Sequence, residues 1–197
     1  QLGEYAIELD AGCRKNRIEH CHIYDIGAGA MQVGVTNLGA LLAAANRIRP
    51  GDTVLEAESA VIEEDWHSEA EVLANVIHNN FIHRLGTMWH GCYGIVNRFA
   101  SFTRITHNEI SDTHWDPIGL DARWSYHGET YSHGNVVAYN HLHHIGLGYH
   151  TDAGGIYQFG PLDTHIHHNY IHHARAYPYI CGFAGIYLDQ QSRNALV

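Results

Sequence analysis

Lysine is nearly missing from this chain: Lys15 is the only one, so a mechanism that needs a lysine base has a single candidate, close to the beginning. Charge of any kind is sparse, at 16% of residues, and 11 Lys plus Arg against 21 Asp plus Glu leave a formal net charge of -10. That balance argues against nucleic acid and against anionic membrane surfaces as partners. Cysteine is scarce as well. Cys13, Cys21, Cys92 and Cys181 lie far apart and form no CxxC pair, which indicates neither a zinc knuckle nor a dense disulfide framework and leaves the redox compartment open. No apolar run is long enough to cross a bilayer, and the first residues lack the charged and apolar regions of a signal peptide; a secreted parent would already have lost its leader. With 45% hydrophobic residues, the 197 positions bury a sizeable core and are most simply one domain, 1–197.

What the chain does contain is a repeat. Five stretches align without gaps: NRIEHCHIYDIG from Asn16, NVIHNNFIHRLG from Asn75, TRITHNEISDTH from Thr103, NVVAYNHLHHIG from Asn135 and THIHHNYIHHAR from Thr164. Apolar residues recur at the third and eighth positions (Ile18/Ile23, Ile77/Ile82, Ile105/Ile110, Val137/Leu142, Ile166/Ile171). Alternation of this kind marks half-buried strands, and the sixth position breaks the parity at a bend. That position holds Cys21, Asn80, Asn108, Asn140 and Asn169, so stacked segments would form a ladder of side-chain amides. The spacing is irregular and the first interval is the longest, which predicts a large loop or an extra coil around 41–70. Within that stretch, Asn37 to Ile48 contains ALLAAA, rich in helix formers, and allows a short helix.

After each strand pair comes a loop and then a glycine-led strand: GAMQVG from Gly29, GIVNRF from Gly94, GLDARW from Gly119, GIYQFG from Gly155 and GIYLDQ from Gly185. Three strands per repeat with Asn at one bend predict an all-β, right-handed parallel β-helix, a single-stranded solenoid. The chain starts within a repeat and stops where a further coil is expected, so the reading is of an incomplete stretch of a longer solenoid.

The 19 histidines raise the question of metal. Many fall into repeat columns: position nine reads Tyr24, His83, Ser111, His143, His172, and position ten reads Asp25, Arg84, Asp112, His144, His173. Neighbours on a strand face opposite ways, and stacked equivalents lie in a line about 4.8 Å apart, unlike a converging tetrahedron. A structural role is therefore preferred, and no metal site is expected. His150, in GYHTDAGG beside Asp152, lies outside the columns and is a candidate for function.

The solenoid interior is filled by aliphatic stacks, so a substrate has to lie on an outer face walled by the variable loops. Those loops carry Trp89, Trp115, Tyr149, Tyr177 and Tyr179. With Ile156 and Ile186 inward, Tyr157, Tyr187 and Asp189 face outward; the same register puts Asp121 in a row with Tyr157 and Tyr187, and Arg123 in a row with Phe159 and Asp189. Flat rings with polar rims suit sugars, and glycosidic hydrolysis needs two carboxyl groups, for which Asp152 and Asp189 on consecutive repeats are the candidates. Asp163, in GPLDTH, reads instead as a turn residue.

The stretch GNVVAYNHLHHIGLGYHTDAGGIYQFGP, followed by THIHHNYIHHARAYPYICGFAGIYLDQQS, resembles the right-handed parallel β-helix repeat proteins related to bacterial carbohydrate-active enzymes. The family pattern runs roughly S/T-D-x-G-G/A-I-Y, a coil with N-x-I-H-D, then G-I-Y-x-D followed by a second acid. The resemblance implies a glycoside hydrolase with acidic residues on the groove, and it falls on Asp152 of TDAGGIY and Asp189 of GIYLDQ. Gln190 stands where relatives often have the second acid, so a role for that acid does not carry over. The expectation is hydrolysis of a polysaccharide or oligosaccharide by Asp152 and Asp189, with His150, Tyr157, Tyr187, Asp121, Arg123, Trp115 and Tyr149 binding substrate and no cofactor. The alternatives are a polysaccharide lyase and a non-catalytic carbohydrate-binding solenoid, in either of which calcium would have a place. A glycan substrate implies an extracellular or periplasmic location.

Overall fold

A computed structural model describes residues 3–35, 71–121, 132–161, 163–178 and 181–197, with only the backbone described at Asp121. The expected loop or coil at 41–70, the helix around Asn37 to Ile48, Arg123 and Tyr179 lie outside the described residues. Among those described the secondary structure is all β, with no helix.

The five aligned stretches build two five-stranded sheets. Arg17–Glu19, Val76–His78, Arg104–Thr106, Val136–Ala138 and His165–His167 lie side by side in chain order, and so do His22–Tyr24, Phe81–Leu85, Glu109–Thr113, His141–Ile145 and Tyr170–Ala174. A third sheet takes Ile7–Leu9, Met31–Gly34, Ile95–Arg98, Ile118–Asp121, Ala153–Phe159 and Phe183–Leu188, again in chain order. Val72–Leu73 and Ala100–Ser101 form a short fourth pair. Every pairing is parallel, an arrangement consistent with a parallel β-solenoid.

The register follows the sequence alignment residue for residue. Ile18, Ile77, Ile105, Val137 and Ile166 pair in one row, and Ile23, Ile82, Ile110, Leu142 and Ile171 in another. Ile77, Ile82, Ile110, Val137, Leu142 and Ile166 have no exposed surface. Each such side chain contributes about 1.5–3 kcal/mol relative to an exposed one, and the rows run on through Met31, Ile95, Ile118 and Ile156 of the third sheet.

The bend lies one residue before its expected place. The fifth position (His20, Asn79, His107, Tyr139, His168) adopts left-handed backbone with φ of 57, 53, 58, 58 and 53°, and of the residues after it Asn80, Asn108 and Asn140 are buried. The tenth position (Asp25, Arg84, Asp112, His144, His173) and the residue before the first (Lys15, Ala74, Phe102, Gly134, Asp163) are left-handed as well. Three corners per repeat therefore recur at five-residue intervals. His, Asn and Asp are the non-glycine residues that tolerate this conformation best, which accounts for His20, His107, His144, His168 and His173 without invoking a ligand. Asp163 is a corner of this kind, bonded by Asn194 Nδ2 at 3.1 Å.

The amide ladder is present. Nδ2 of Asn80, Asn108 and Asn140 donates to Oδ1 of Asn108, Asn140 and Asn169 at 2.9, 3.0 and 2.9 Å. The same Oδ1 atoms accept the backbone N–H of the residue one repeat earlier, each at 3.0 Å. A second set of corner amides escaped the sequence reading. Asn75 Oδ1 accepts both Asn16 N–H and Asn16 Nδ2 at 3.0 Å, and Asn135 Oδ1 accepts Thr103 N–H at 2.9 Å. The signal was the first position of the aligned stretches, Asn-Asn-Thr-Asn-Thr.

Candidate active site

On the outer face of the third sheet lies a cleft of about 440 Å³. Asp152 and Asp189 both line it, together with Trp115, Tyr157 and Phe159, as do Tyr93, Arg98 and Gln190. Asp189 follows the strand Phe183–Leu188 and is fixed by its backbone N–H donating to Gln158 O at 2.8 Å. Its Oδ2 accepts the Tyr157 hydroxyl at 2.5 Å and its Oδ1 accepts Gln190 N–H at 2.7 Å. Both carboxylate oxygens thus have a donor that holds them in place. Asp152 is exposed at a left-handed corner with φ of 57°. Its N–H donates to Cys181 O at 3.2 Å, and Thr151 Oγ1 accepts Cys181 N–H at 3.0 Å, so two loops share the load of holding it.

The tyrosines pair with the acids in alternation. Tyr157 and Tyr187 are register partners whose rings meet edge to face at 5.3 Å. Burial, and then the bond and negative charge of Asp189, push the Tyr157 phenol far above its ordinary range, so it remains a donor. Burial, the charges of Asp152 and Asp189, and a bond to Asp152 push Tyr187 the same way.

One more carboxyl group is present that the sequence reading passed over. Asp116, between Trp115 and Pro117, has no exposed surface. Its Oδ1 accepts Gly154 N–H at 2.7 Å and thereby anchors the turn that carries Asp152, while its Oδ2 is buried without a hydrogen-bond partner among the described residues. Burial raises its pKa well above the usual carboxyl value of 3.8 against the pull of the Gly154 bond, and Asp152 adds to the rise.

The third sheet corrects the expected rows. Gly119, rather than Asp121, is opposite Tyr157 and through it Tyr187, and Asp121 pairs with Phe159 and Arg98. Aligning the strands on their glycines misplaces this one by two residues, because interior packing sets the register. Ile118 joins the interior row of the buried Ile95 and Ile156 and the partly buried Ile186, and Gly119 falls on the outer face. The Tyr93 ring occupies the space a side chain there would fill: a Cβ on Gly119 would lie 2.3 Å from Tyr93 Cδ1. Tyr93 in turn stacks on Trp115 at 5.2 Å between ring centroids, so a missing side chain creates one aromatic wall of the cleft. Tyr93 and Arg98 sit in GCYGIVNR, where the legible signal was a Tyr and an Arg flanking a glycine-led strand.

The remaining candidates stand around the cleft. His150 stacks behind Trp115 at 5.5 Å, and its pKa is lowered by burial and by His90 and His114. Tyr149 leans away, 56% exposed, on a stacked His90–His114 pair, 4.9 Å from each ring. Phe159 joins Asp152, Asp189, Tyr157 and Trp115 in the cleft; Tyr187 touches Asp152 from its margin.

No protein-family model matches the chain, and no curated protein does. A solved structure described as a glycoside hydrolase aligns with it at a TM-score of 0.61 and 16% sequence identity, over 98% of this chain and 34% of that one. The chain thus spans about a third of that protein's length, and the likeness is one of fold.

Proposed function

We propose that the chain forms coils of a right-handed parallel β-helix with three strands per turn, and that its outer cleft hydrolyses glycosidic bonds of a polysaccharide or oligosaccharide. The observation that carries the proposal is the placement of two carboxyl groups, Asp152 and Asp189, in one cleft walled by Tyr93, Trp115, Tyr157 and Phe159. Aromatic faces take the apolar faces of sugar rings, and the carboxylates and Arg98 supply acceptors and a donor for their hydroxyls. In this reading one carboxyl group protonates the leaving oxygen while the other activates water or attacks the anomeric carbon. Tyr157 orients Asp189, and Asp116 orients the turn of Asp152. The likeness in fold to a glycoside hydrolase is in keeping with this chemistry, and a glycan substrate fits an extracellular or periplasmic protein.

Arg98 in the cleft supports a second reading, elimination from a uronate-containing chain, because a cation there would neutralise the sugar carboxylate. Product analysis on a panel of neutral and acidic glycans separates the two. Hydrolysis releases a reducing end with no new chromophore, whereas elimination leaves an unsaturated sugar that absorbs in the near ultraviolet. Glycan binding without any product would favour a non-catalytic binding surface and remove both.

A further inference from the structure

The outer face of the second five-stranded sheet carries a cluster that the cleft does not use. Glu109, His141 and His143 come from two adjacent strands; the two histidines are half-buried and Glu109 is exposed. Register places Glu109 beside His141, and His172 beside His143. His141 and His143 are two apart on one strand and so project from the same face. One ligand atom from each of Glu109, His141 and His143 lies within 4.8 Å of the other two. His143 Nε2 is 3.3 Å from Glu109 Oε1, and His141 Nε2 is 2.8 Å from His172 Nε2.

The geometry points to a surface site for a divalent transition-metal ion of the zinc class, with Glu109, His141 and His143 as its protein ligands. Bond lengths of about 2.0–2.2 Å to imidazole nitrogen and carboxylate oxygen put tetrahedral ligand atoms roughly 3.3–3.6 Å apart. The observed spacing needs only small side-chain rotations to reach that. Imidazole with a single carboxylate suits zinc, nickel, copper or cobalt rather than calcium, which takes an all-oxygen shell. His143 Nδ1 is engaged by His144 Nδ1 at 2.8 Å, which leaves Nε2 facing Glu109 and holds the ring as outer partners hold metal-bound histidines.

The rest of the same face supplies the contrast. Three repeats away His22 and His83 also meet at 2.8 Å through their Nε2 atoms, but Phe81 and Tyr24 occupy the neighbouring positions of the two columns and bring no carboxylate. A generic histidine effect would treat the two pairs alike; a built site would not.

Calorimetric titration of the untagged full chain with Zn²⁺, paralleled by Co²⁺ absorption, tests the assignment. One saturable ion per chain is expected, with a visible Co²⁺ band of tetrahedral intensity. His143→Ala and Glu109→Gln should each weaken binding by about tenfold or more, and His22→Ala should leave it unchanged. Thermal melting keeps the variants comparable, and His143→Gln serves should the alanine variant fail to fold. No saturable binding by the wild type, or equal losses from His22→Ala and His143→Ala, overturns the assignment. Glycan hydrolysis does not enter the outcome, so the test stands or falls apart from the proposed activity.

Discussion

Removing one rung of the asparagine ladder should be among the most damaging single changes available to this chain. Asn108 is buried and its side chain makes four hydrogen bonds. Nδ2 donates to Ile77 O at 3.1 Å and to Asn140 Oδ1 at 3.0 Å, while Oδ1 accepts Asn80 N–H at 3.0 Å and Asn80 Nδ2 at 2.9 Å. Asn108→Ala removes all four and leaves the Asn80 N–H and one hydrogen of Asn80 Nδ2 without an acceptor, the Nδ2 keeping its bond to Ile18 O at 3.0 Å. At about 1 kcal/mol net per bond, with a further desolvation cost for each stranded group, the loss is about 4–6 kcal/mol. That is a large share of the ~5–15 kcal/mol by which a typical domain is stable. Asn169 ends the described ladder with three side-chain bonds in a less enclosed setting, so Asn169→Ala should cost less, about 2–3 kcal/mol. Urea unfolding followed by circular dichroism measures both. A loss below ~1 kcal/mol for Asn108→Ala, or a larger loss for Asn169→Ala, would refute the claim that the ladder binds the repeats together.

Other outcomes follow from the cleft. Gly119→Ala drives a Cβ to 2.3 Å from Tyr93 and should destabilise by about 1–3 kcal/mol while disturbing tryptophan fluorescence through Trp115; Gly185→Ala, with nothing within 4 Å of the added carbon, should do neither. Asp116 has its folded pKa raised above 3.8 by burial, so its contribution to stability is fully present below that value and is lost as pH rises through the folded pKa. Asp116→Asn keeps the oxygen that accepts Gly154 N–H, and its melting temperature should therefore decline less with rising pH than that of the wild type. A parallel decline in both would remove Asp116 from the account. Tyr157→Phe deletes the hydroxyl that holds Asp189 at 2.5 Å and should slow hydrolysis about tenfold, corresponding to ~1.4 kcal/mol, with the fold retained; unchanged turnover would show that Asp189 does not depend on that bond.

The strands of the two five-stranded sheets were legible because the aligned stretches have no insertions. A one-residue slip would have turned every isoleucine outward, and the Asn column marked the corner from within. The third sheet was harder. Its strands follow loops of differing length, and glycine is a poor anchor for register, since at Gly94 and Gly155 it precedes the interior isoleucine and at Gly119 it follows it. Asp152 and Asp189 share the cleft because both depart from the repeat on its outer side, which the sequence discloses. Asp116 did not declare itself. A buried carboxyl before a proline looks like a turn residue until the backbone N–H of Gly154, 38 positions away, is brought to it. The left-handed corner before each repeat was hidden for the opposite reason: Lys15, Ala74, Phe102, Gly134 and Asp163 have no chemistry in common, and only backbone geometry unites them.

The central claim is that Asp152 and Asp189 act together on a glycan bound in the cleft. Its most direct test is product release from a glycan panel by the wild type, Asp152→Asn and Asp189→Asn at matched concentration, with melting curves alongside. The account predicts hydrolysis by the wild type and a fall of about 10²- to 10⁴-fold in each variant with the melting temperature nearly unchanged. Full activity in a folded Asp189→Asn protein would contradict it.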